Sequence, residues 1–271
     1  MTDPAERRFA LTLSYDGSAF HGWQAQPDVV TVQSTLEDVL SRLCDRPTRV
    51  VAAGRTDRGV HATGQVASFK APSRWTAQEL LRSANALLPD TVHVDAATAV
   101  PPDFHARYSA VARGYVYRVG TAPATLSPFL NRYCWPIEAD LDRALLEEAA
   151  QGLVGERSFG AFAKAGQEQR GDRCAVRTSF WAPWADLGIA FHIVANRFLH
   201  HMVRYLVGTM VDVARGRRPA SDLTGLLEGD PGLVTSPPAA PGGLFLARVY
   251  YDSAEAERDA LAGTKPALPI P

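Results

Sequence analysis

Phe9-Ala10-Leu11-Thr12-Leu13-Ser14-Tyr15 reads as a strand with one buried face, because its large apolar side chains recur at every second position. Working outward, Val32 to Leu43 follows with helical spacing, its start marked by a capping pattern of Ser34 and Glu37. Arg49 to Ala53 is a short β-branched run, and Gln65 to Lys70 alternates again. Thr76 to Leu87 opens on Thr76 and Glu79, a second capping box, and Val92 to Ala97 closes the set. The order is β-α-β-β-α-β.

From Ala110 the same order returns. Val111 to Val119 alternates, Leu141 to Leu153 is an amphipathic helix, and Ser179 to Trp184 with Ile189 to Ala195 form a hairpin around Asp186-Leu187-Gly188. Phe198 to Ala214 is a long helix with apolar residues at Leu199, Met202, Val203, Leu206, Val207 and Met210, and Leu244 to Tyr250 is the closing strand. The pattern predicts an α+β protein of two ferredoxin-like halves, residues 1–108 and 109–252, whose strands join in one mixed sheet with helices on one face. Gly229 to Gly243 reads as a long loop, and residues 253–271 as a flexible tail.

Composition narrows the class. A chain of 271 residues with 46% apolar and 21% charged residues buries a sizeable core and is not disordered. The start, MTDPAERR, has no apolar stretch behind it, and Phe198 to Ala214 is interrupted by His200, His201, Arg204 and Asp212. Neither a secretory signal nor a membrane span is expected, which places the protein in the cytoplasm. Cys44, Cys134 and Cys174 lie far apart without a CxxC pair, so buried, reduced thiols are expected rather than disulfides or a zinc site. Lys70, Lys164 and Lys265 are the only lysines among 28 basic residues, leaving 25 arginines. The net charge of −1 conceals a segregation: five arginines and two histidines against one acid between Arg197 and Arg218, and an acidic excess from Asp252 on.

The chemistry concentrates in Gly54-Arg55-Thr56-Asp57-Arg58-Gly59-Val60-His61-Ala62. Where a two-residue turn would close a hairpin, the sequence inserts about eleven residues, and long ordered connections tend to carry function. Arg55 and Arg58 flank Asp57, and nearby positive charge favours the ionised carboxylate that covalent catalysis by aspartate requires. An Arg–Asp pair that only pins a turn would look the same.

This stretch resembles the catalytic motif of the tRNA pseudouridine synthase A family, whose usual form is GRTDAGVHA. Further blocks carry the resemblance in order along the chain: Tyr15-Asp16-Gly17 through Gly22-Trp23-Gln24, Thr31-Val32-Gln33, Asp103-Phe104-His105-Ala106-Arg107, Arg113-Gly114-Tyr115-Val116-Tyr117, Asn196-Arg197-Phe198-Leu199-His200-His201-Met202-Val203-Arg204, and Gly243-Leu244-Phe245-Leu246. Arg58 departs from a common alanine, and Ser34 from a usual glycine.

The resemblance implies a pseudouridine synthase fold with a central active-site cleft. It also implies isomerisation of uridine to pseudouridine at positions 38, 39 and 40 of the tRNA anticodon stem-loop, without cofactor or metal. Asp57 is then the catalytic carboxylate, whether it attacks C1′ or C6 or takes a proton from C2′. Arg204 matches the arginine that pairs with the aspartate, and Tyr115 the tyrosine that stacks on the flipped base. Arg55 matches the arginine that fills the space the base leaves. Arg58, His61 and Arg107 join them as substrate-contact candidates, with His61 equally readable as a structural histidine. The family acts as a homodimer on tRNA. Arg107, Arg113, Arg118, Arg170, Arg173, Arg177, Arg215, Arg217 and Arg218 are candidate phosphate contacts.

Two other readings compete. Ferredoxin-like halves also describe non-catalytic RNA-binding modules, but Arg113-Gly114-Tyr115-Val116-Tyr117 lacks the rest of an RNP1 run. A glycoside hydrolase with an aspartate nucleophile needs a second carboxylate, and the Asp57 loop offers arginines instead.

Overall fold

The alternation at the start of the chain becomes β1 (Glu6–Tyr15), with Phe9, Leu11, Leu13 and Tyr15 buried and the residues between them part-exposed. The computed structural model describes residues 6–164 and 171–262. They fall into two units, one of residues up to 111 together with 246–252, the other of residues 112–245 together with those from 253 on.

In the first unit, β1 leads to α1 (Val32–Cys44), β2 (Val51–Ala52), β3 (His61–Pro72), α2 (Ala77–Asn85) and β4 (Val92–Val100). β1 lies antiparallel between β3 and β4, and β2 pairs with β3. This is the expected β-α-β-β-α-β order. Phe9 stands opposite Phe69 in the register, their ring centroids 6.1 Å apart, so the pairing and the core are set by the same residues. The C-terminal part of β10 (Leu244–Tyr250) lies beside β3 in this unit. A Cβ at Gly64 would stand 2.2 Å from the Ala247 carbonyl oxygen, so β3 needs a glycine there.

The second unit carries β5 (Ala112–Gly120), β6 (Trp135–Pro136), α3 (Arg143–Gln151), β7 (Gly155–Ser158), β8 (Arg173–Trp184), β9 (Gly188–Ala195), α4 (Met202–Ala214), α5 (Ser221–Glu228) and α6 (Ser253–Ala262). Its strands run in the order β5-β9-β8-β7, all antiparallel, while β6 joins β5 in parallel, which makes the sheet mixed. The expected hairpin is β8-β9. No helix among the described residues is long and apolar enough to cross a membrane.

Several boundaries differ from expectation for physical reasons. The cap of α1 is Thr31, not Ser34: Thr31 and Ser34 exchange side chain-to-backbone bonds of 3.1 and 3.2 Å. Glu37 is drawn inward instead. It is 5% exposed and accepts from Gln33 Nε2 at 2.9 Å, the Val50 amide at 3.0 Å and Arg49 Nη1 at 2.7 Å. The α4 helix begins at Met202 rather than Phe198, because His201 caps it in the left-handed region at φ 66°. Residues 246–252, expected with the second half, belong to the first unit. The expected tail forms α6 from Ser253 to Ala262, with Ala256 fully buried, and its remainder lies outside the described residues. All three cysteines are buried free thiols, and burial pushes Cys134 and Cys174 up to about 11.

Removing Glu37 tests the junction between α1 and β2. Glu37→Ala orphans a buried amide and should lower unfolding stability by about 1–3 kcal/mol. It should shift the urea midpoint at unchanged m-value. Arg49 is 83% exposed at the same junction, so Arg49→Ala should cost less than about 1 kcal/mol.

Candidate active site

Between β2 and β3 the chain makes the Asp57 loop, residues 53–60, shorter than expected because His61 and Ala62 already belong to β3. Polar side chains of β1 and β3 hold it. The Gln65 amide works as a strand partner for Gly54, donating to its carbonyl at 2.7 Å and accepting from its amide at 3.3 Å. Gln65 Nε2 also reaches the Tyr15 hydroxyl at 3.4 Å, and that hydroxyl lies 2.8 Å from Thr56 Oγ1. Tyr15, Thr56 and Gln65 are all buried, so the network works away from water, where each bond counts for more.

The loop then turns. The Val60 amide donates to the Asp57 carbonyl at 3.1 Å, and Gly59 takes the positive φ of 77° that this turn requires. Thr56 and Val60 are buried on either side, Asp57 is half-buried, and Arg55 and Arg58 are exposed. The loop therefore fixes its backbone while presenting a carboxylate between two outward arginines.

The segment after β1 packs backbone-to-backbone on this loop. A Cβ at Gly17 would fall 2.0 Å from the Val60 oxygen. Gly22 has φ 90°, and a Cβ there would stand 2.8 Å from the Thr56 oxygen. The Trp23 amide donates to that same oxygen at 2.9 Å.

His61 serves this joint. It is 1% exposed, with Nδ1 3.0 Å from the Gly17 amide and 3.3 Å from Asp16 Oδ1. Nδ1 is within reach of both the Gly17 amide and the Asp16 carboxylate and ties His61 to two successive residues of this segment. His61 thus fastens the loop and is not presented at the surface. Burial by itself would raise the Asp16 carboxyl, but the His61 ring and two bonds from Ser18 outweigh it and hold the group well below the usual carboxylate range.

The remaining expected residues lie elsewhere. Arg107 is half-buried in the first unit, its guanidinium 5.8 Å from the Tyr108 ring centroid. Tyr115, in the second unit, is half-buried on β5 and meets Phe198 edge-on at 4.8 Å and 77°. Arg204 occupies the first turn of α4. Its Nε donates to the Ala239 carbonyl at 2.7 Å, and the Ala239 amide returns a bond to the Arg204 carbonyl at 3.0 Å. Arg197 and His201 both precede the first turn of α4, so neither shares a helical face with Arg204.

Several candidate phosphate arginines are employed internally. Arg118 is 2% exposed, between the Trp184 and Phe245 rings at 4.8 and 5.1 Å, and burial brings its guanidinium down to about 10. Arg218 forks onto Asp222 at 2.8 and 3.1 Å and also holds Ser236 Oγ and the Val234 carbonyl. Arg173 pairs with Glu156 at 2.9 Å, and Arg217 with Asp212 at 3.4 Å. Arg170 lies outside the described residues. Nothing in the sequence marks Tyr15, Thr56 and Gln65 as a network, because a tyrosine ending a strand and a glutamine opening one carry no sign of what they bond.

Comparison with known proteins bears on this geometry. The sequence matches the family described as tRNA pseudouridine synthase over residues 12–109 and 149–252. A tRNA pseudouridine synthase A of Chlorobium luteolum is 41% identical over 246 residues, covering 90% of this chain and 96% of that protein. The protein of the same name from Pseudoalteromonas atlantica is 42% identical over 246 residues, covering 90% and 92%. That from Paraburkholderia phymatum is 40% identical over 266 residues, covering 96% of each.

The Asp16 carboxyl gives this joint a pH signature. A group depressed in the folded state contributes stability above its unfolded pKa, about 3.9, that is lost as pH falls through the folded value. Between about pH 5 and 2 the parent should therefore lose more stability than Asp16→Asn, as followed by urea unfolding.

Proposed function

This chain belongs to the tRNA pseudouridine synthase family, and from that premise we propose that it isomerises uridine to pseudouridine at positions 38, 39 and 40 of the tRNA anticodon stem-loop. Asp57 is the nucleophile. The observation that carries the reading is the Gly54–Ala62 motif held as a fastened loop with a half-buried carboxylate at its turn. The C1′–N1 bond breaks with the help of Asp57, the captive uracil turns, and C5 bonds to C1′. The C5 hydrogen leaves as a proton while N1 gains one, so the sum is an isomerisation. No redox partner or transferred group enters the balance.

The target base must leave its stack, at a cost of a few kcal/mol. Tyr115 is assigned to stack on it, an assignment supported by the edge-on Phe198 ring that restrains the tyrosine. Arg204 is assigned as the counter-charge of Asp57, with its guanidinium plane set by the Nε bond to Ala239. Arg55 and Arg58 are assigned to the RNA side of the loop, in keeping with their exposure. The same reading makes the protein a cytoplasmic homodimer acting on tRNA.

Incubation with an unmodified tRNA transcript, without added metal, should produce pseudouridine in the anticodon arm. Asp57→Asn keeps the shape and removes the nucleophile; turnover should fall to background while tRNA binding persists. Pseudouridine formation by that variant above a trace rate would remove Asp57 from its role.

Arg204→Met should lower turnover at saturating tRNA by about 100-fold or more, the scale on which lost electrostatic stabilisation is felt. An unchanged rate under saturation would take Arg204 out of the catalytic set.

A further inference from the structure

One large aromatic side chain of the first unit is displayed rather than packed. Tyr108 is 71% exposed, yet its surroundings are built. Its ring lies 4.3 Å from the His105 ring, tilted by 32°, so one aromatic supports the other. The backbone under the pair is bonded at almost every step. His105 Nδ1 accepts from the Arg107 and Tyr108 amides, both at 3.2 Å, and the His105 amide donates to Ser109 Oγ at 3.0 Å. The Ser109 amide closes the turn onto the His105 carbonyl at 2.9 Å.

The turn is also anchored to the unit. The Ala106 amide donates to Ser68 Oγ of β3 at 3.2 Å, and the Tyr251 hydroxyl donates to the Ala106 carbonyl at 2.8 Å. Phe104 packs on the Tyr251 ring at 4.9 Å. An exposed aromatic on a loose loop would lose conformational freedom on binding. This one is already restrained, and it has a guanidinium beside it, that of Arg107.

A restrained, solvent-facing ring next to a cation has the makings of a nucleic-acid stacking platform, since any base offers a π-face and the adjoining phosphate offers the charge. We propose that Tyr108 stacks an unpaired base of the bound RNA and that Arg107 holds the phosphate next to it. The proposal rests on the reading of tRNA as the substrate, but it concerns binding and not the isomerisation step.

The test is equilibrium binding of an unmodified tRNA transcript to the full chain, measured across a salt series. Stacking is worth about 1–3 kcal/mol per base by alanine substitution, which is about 5- to 150-fold. Tyr108→Ala should therefore raise Kd about 5- to 150-fold, whereas Tyr108→Phe and Tyr108→Trp, which keep a π-face, should stay near the parent.

Tyr108→Ala should leave the slope of log K against log salt unchanged, while Arg107→Gln should flatten it by about 0.7–0.9, one phosphate. Thermal unfolding confirms that each variant is folded. An unchanged Kd for Tyr108→Ala overturns the proposal, and so does an equal loss in Tyr108→Phe, which would assign the effect to the hydroxyl. A change of oligomeric mass in Tyr108→Ala also overturns it, since the ring would then be a contact between copies. These readouts are independent of turnover: a parent that binds tRNA without forming pseudouridine refutes the proposed reaction and leaves the stacking test standing.

Discussion

Close approach of two backbones at Gly17 and Gly22 is the constraint on which the candidate site depends. The carbonyls of Thr56 and Val60 come so near that a methyl group would stand 2.0 Å from a backbone oxygen at Gly17 and 2.8 Å from one at Gly22, inside contact distance at both. Because the contact is main chain against main chain, no repacking of a flexible side chain could relieve a substitution. The rest follows from that proximity. The Trp23 amide can reach the Thr56 oxygen, the Gly17 amide can reach His61, and the Tyr15 hydroxyl can meet Thr56. The segment after β1 and the loop before β3 are therefore one object, although about thirty residues of chain lie between Trp23 and Ala53.

That joint explains what could and could not be read beforehand. The element order was legible because hydrophobic period is a local property: Phe9, Leu11, Leu13 and Tyr15 announce a strand face without reference to any partner. The Asp57 loop was legible as a motif, and the Tyr15-Asp16-Gly17 and Gly22-Trp23 blocks as companions to it. Their contact was not, because a glycine written in a sequence does not say which backbone it admits. Boundaries failed where a side chain was recruited by a distant group. Local spacing makes Glu37 a capping residue, and in the fold it is instead the acceptor for the Val50 amide. Composition makes Ser253 onward a tail, and a buried Ala256 turns its first part into a packed helix.

Charge was the least legible property. Arginines counted together as a basic reserve are divided by burial and geometry into different employments. Arg118 is a cation held between two aromatic faces, where loss of water is offset by the ring quadrupoles. Arg218 fastens the chain after α5, spanning Asp222, Ser236 and Val234 with its planar fork. Composition cannot separate these from Arg55 and Arg58, which face solvent. The consequence is that a small net charge and a large arginine count are both compatible with few phosphate contacts. The footprint of the RNA has to be argued residue by residue.

The fastening of the loop has an energetic meaning for the proposed chemistry. Fixing the backbone of one residue costs about 1–2 kcal/mol, so a mobile loop of this length would lose on the order of 10 kcal/mol in reaching a single conformation. Base extrusion alone costs a few kcal/mol, and binding energy from stacking and phosphate contacts must cover it. If that same binding energy had also to order the Asp57 loop, affinity would fall by many orders of magnitude. Gln65, Tyr15, Thr56 and His61 meet the ordering cost during folding, where the core supplies the stabilisation. Asp57 then sits on a loop already in place, and what the RNA contributes on binding can be spent on the base.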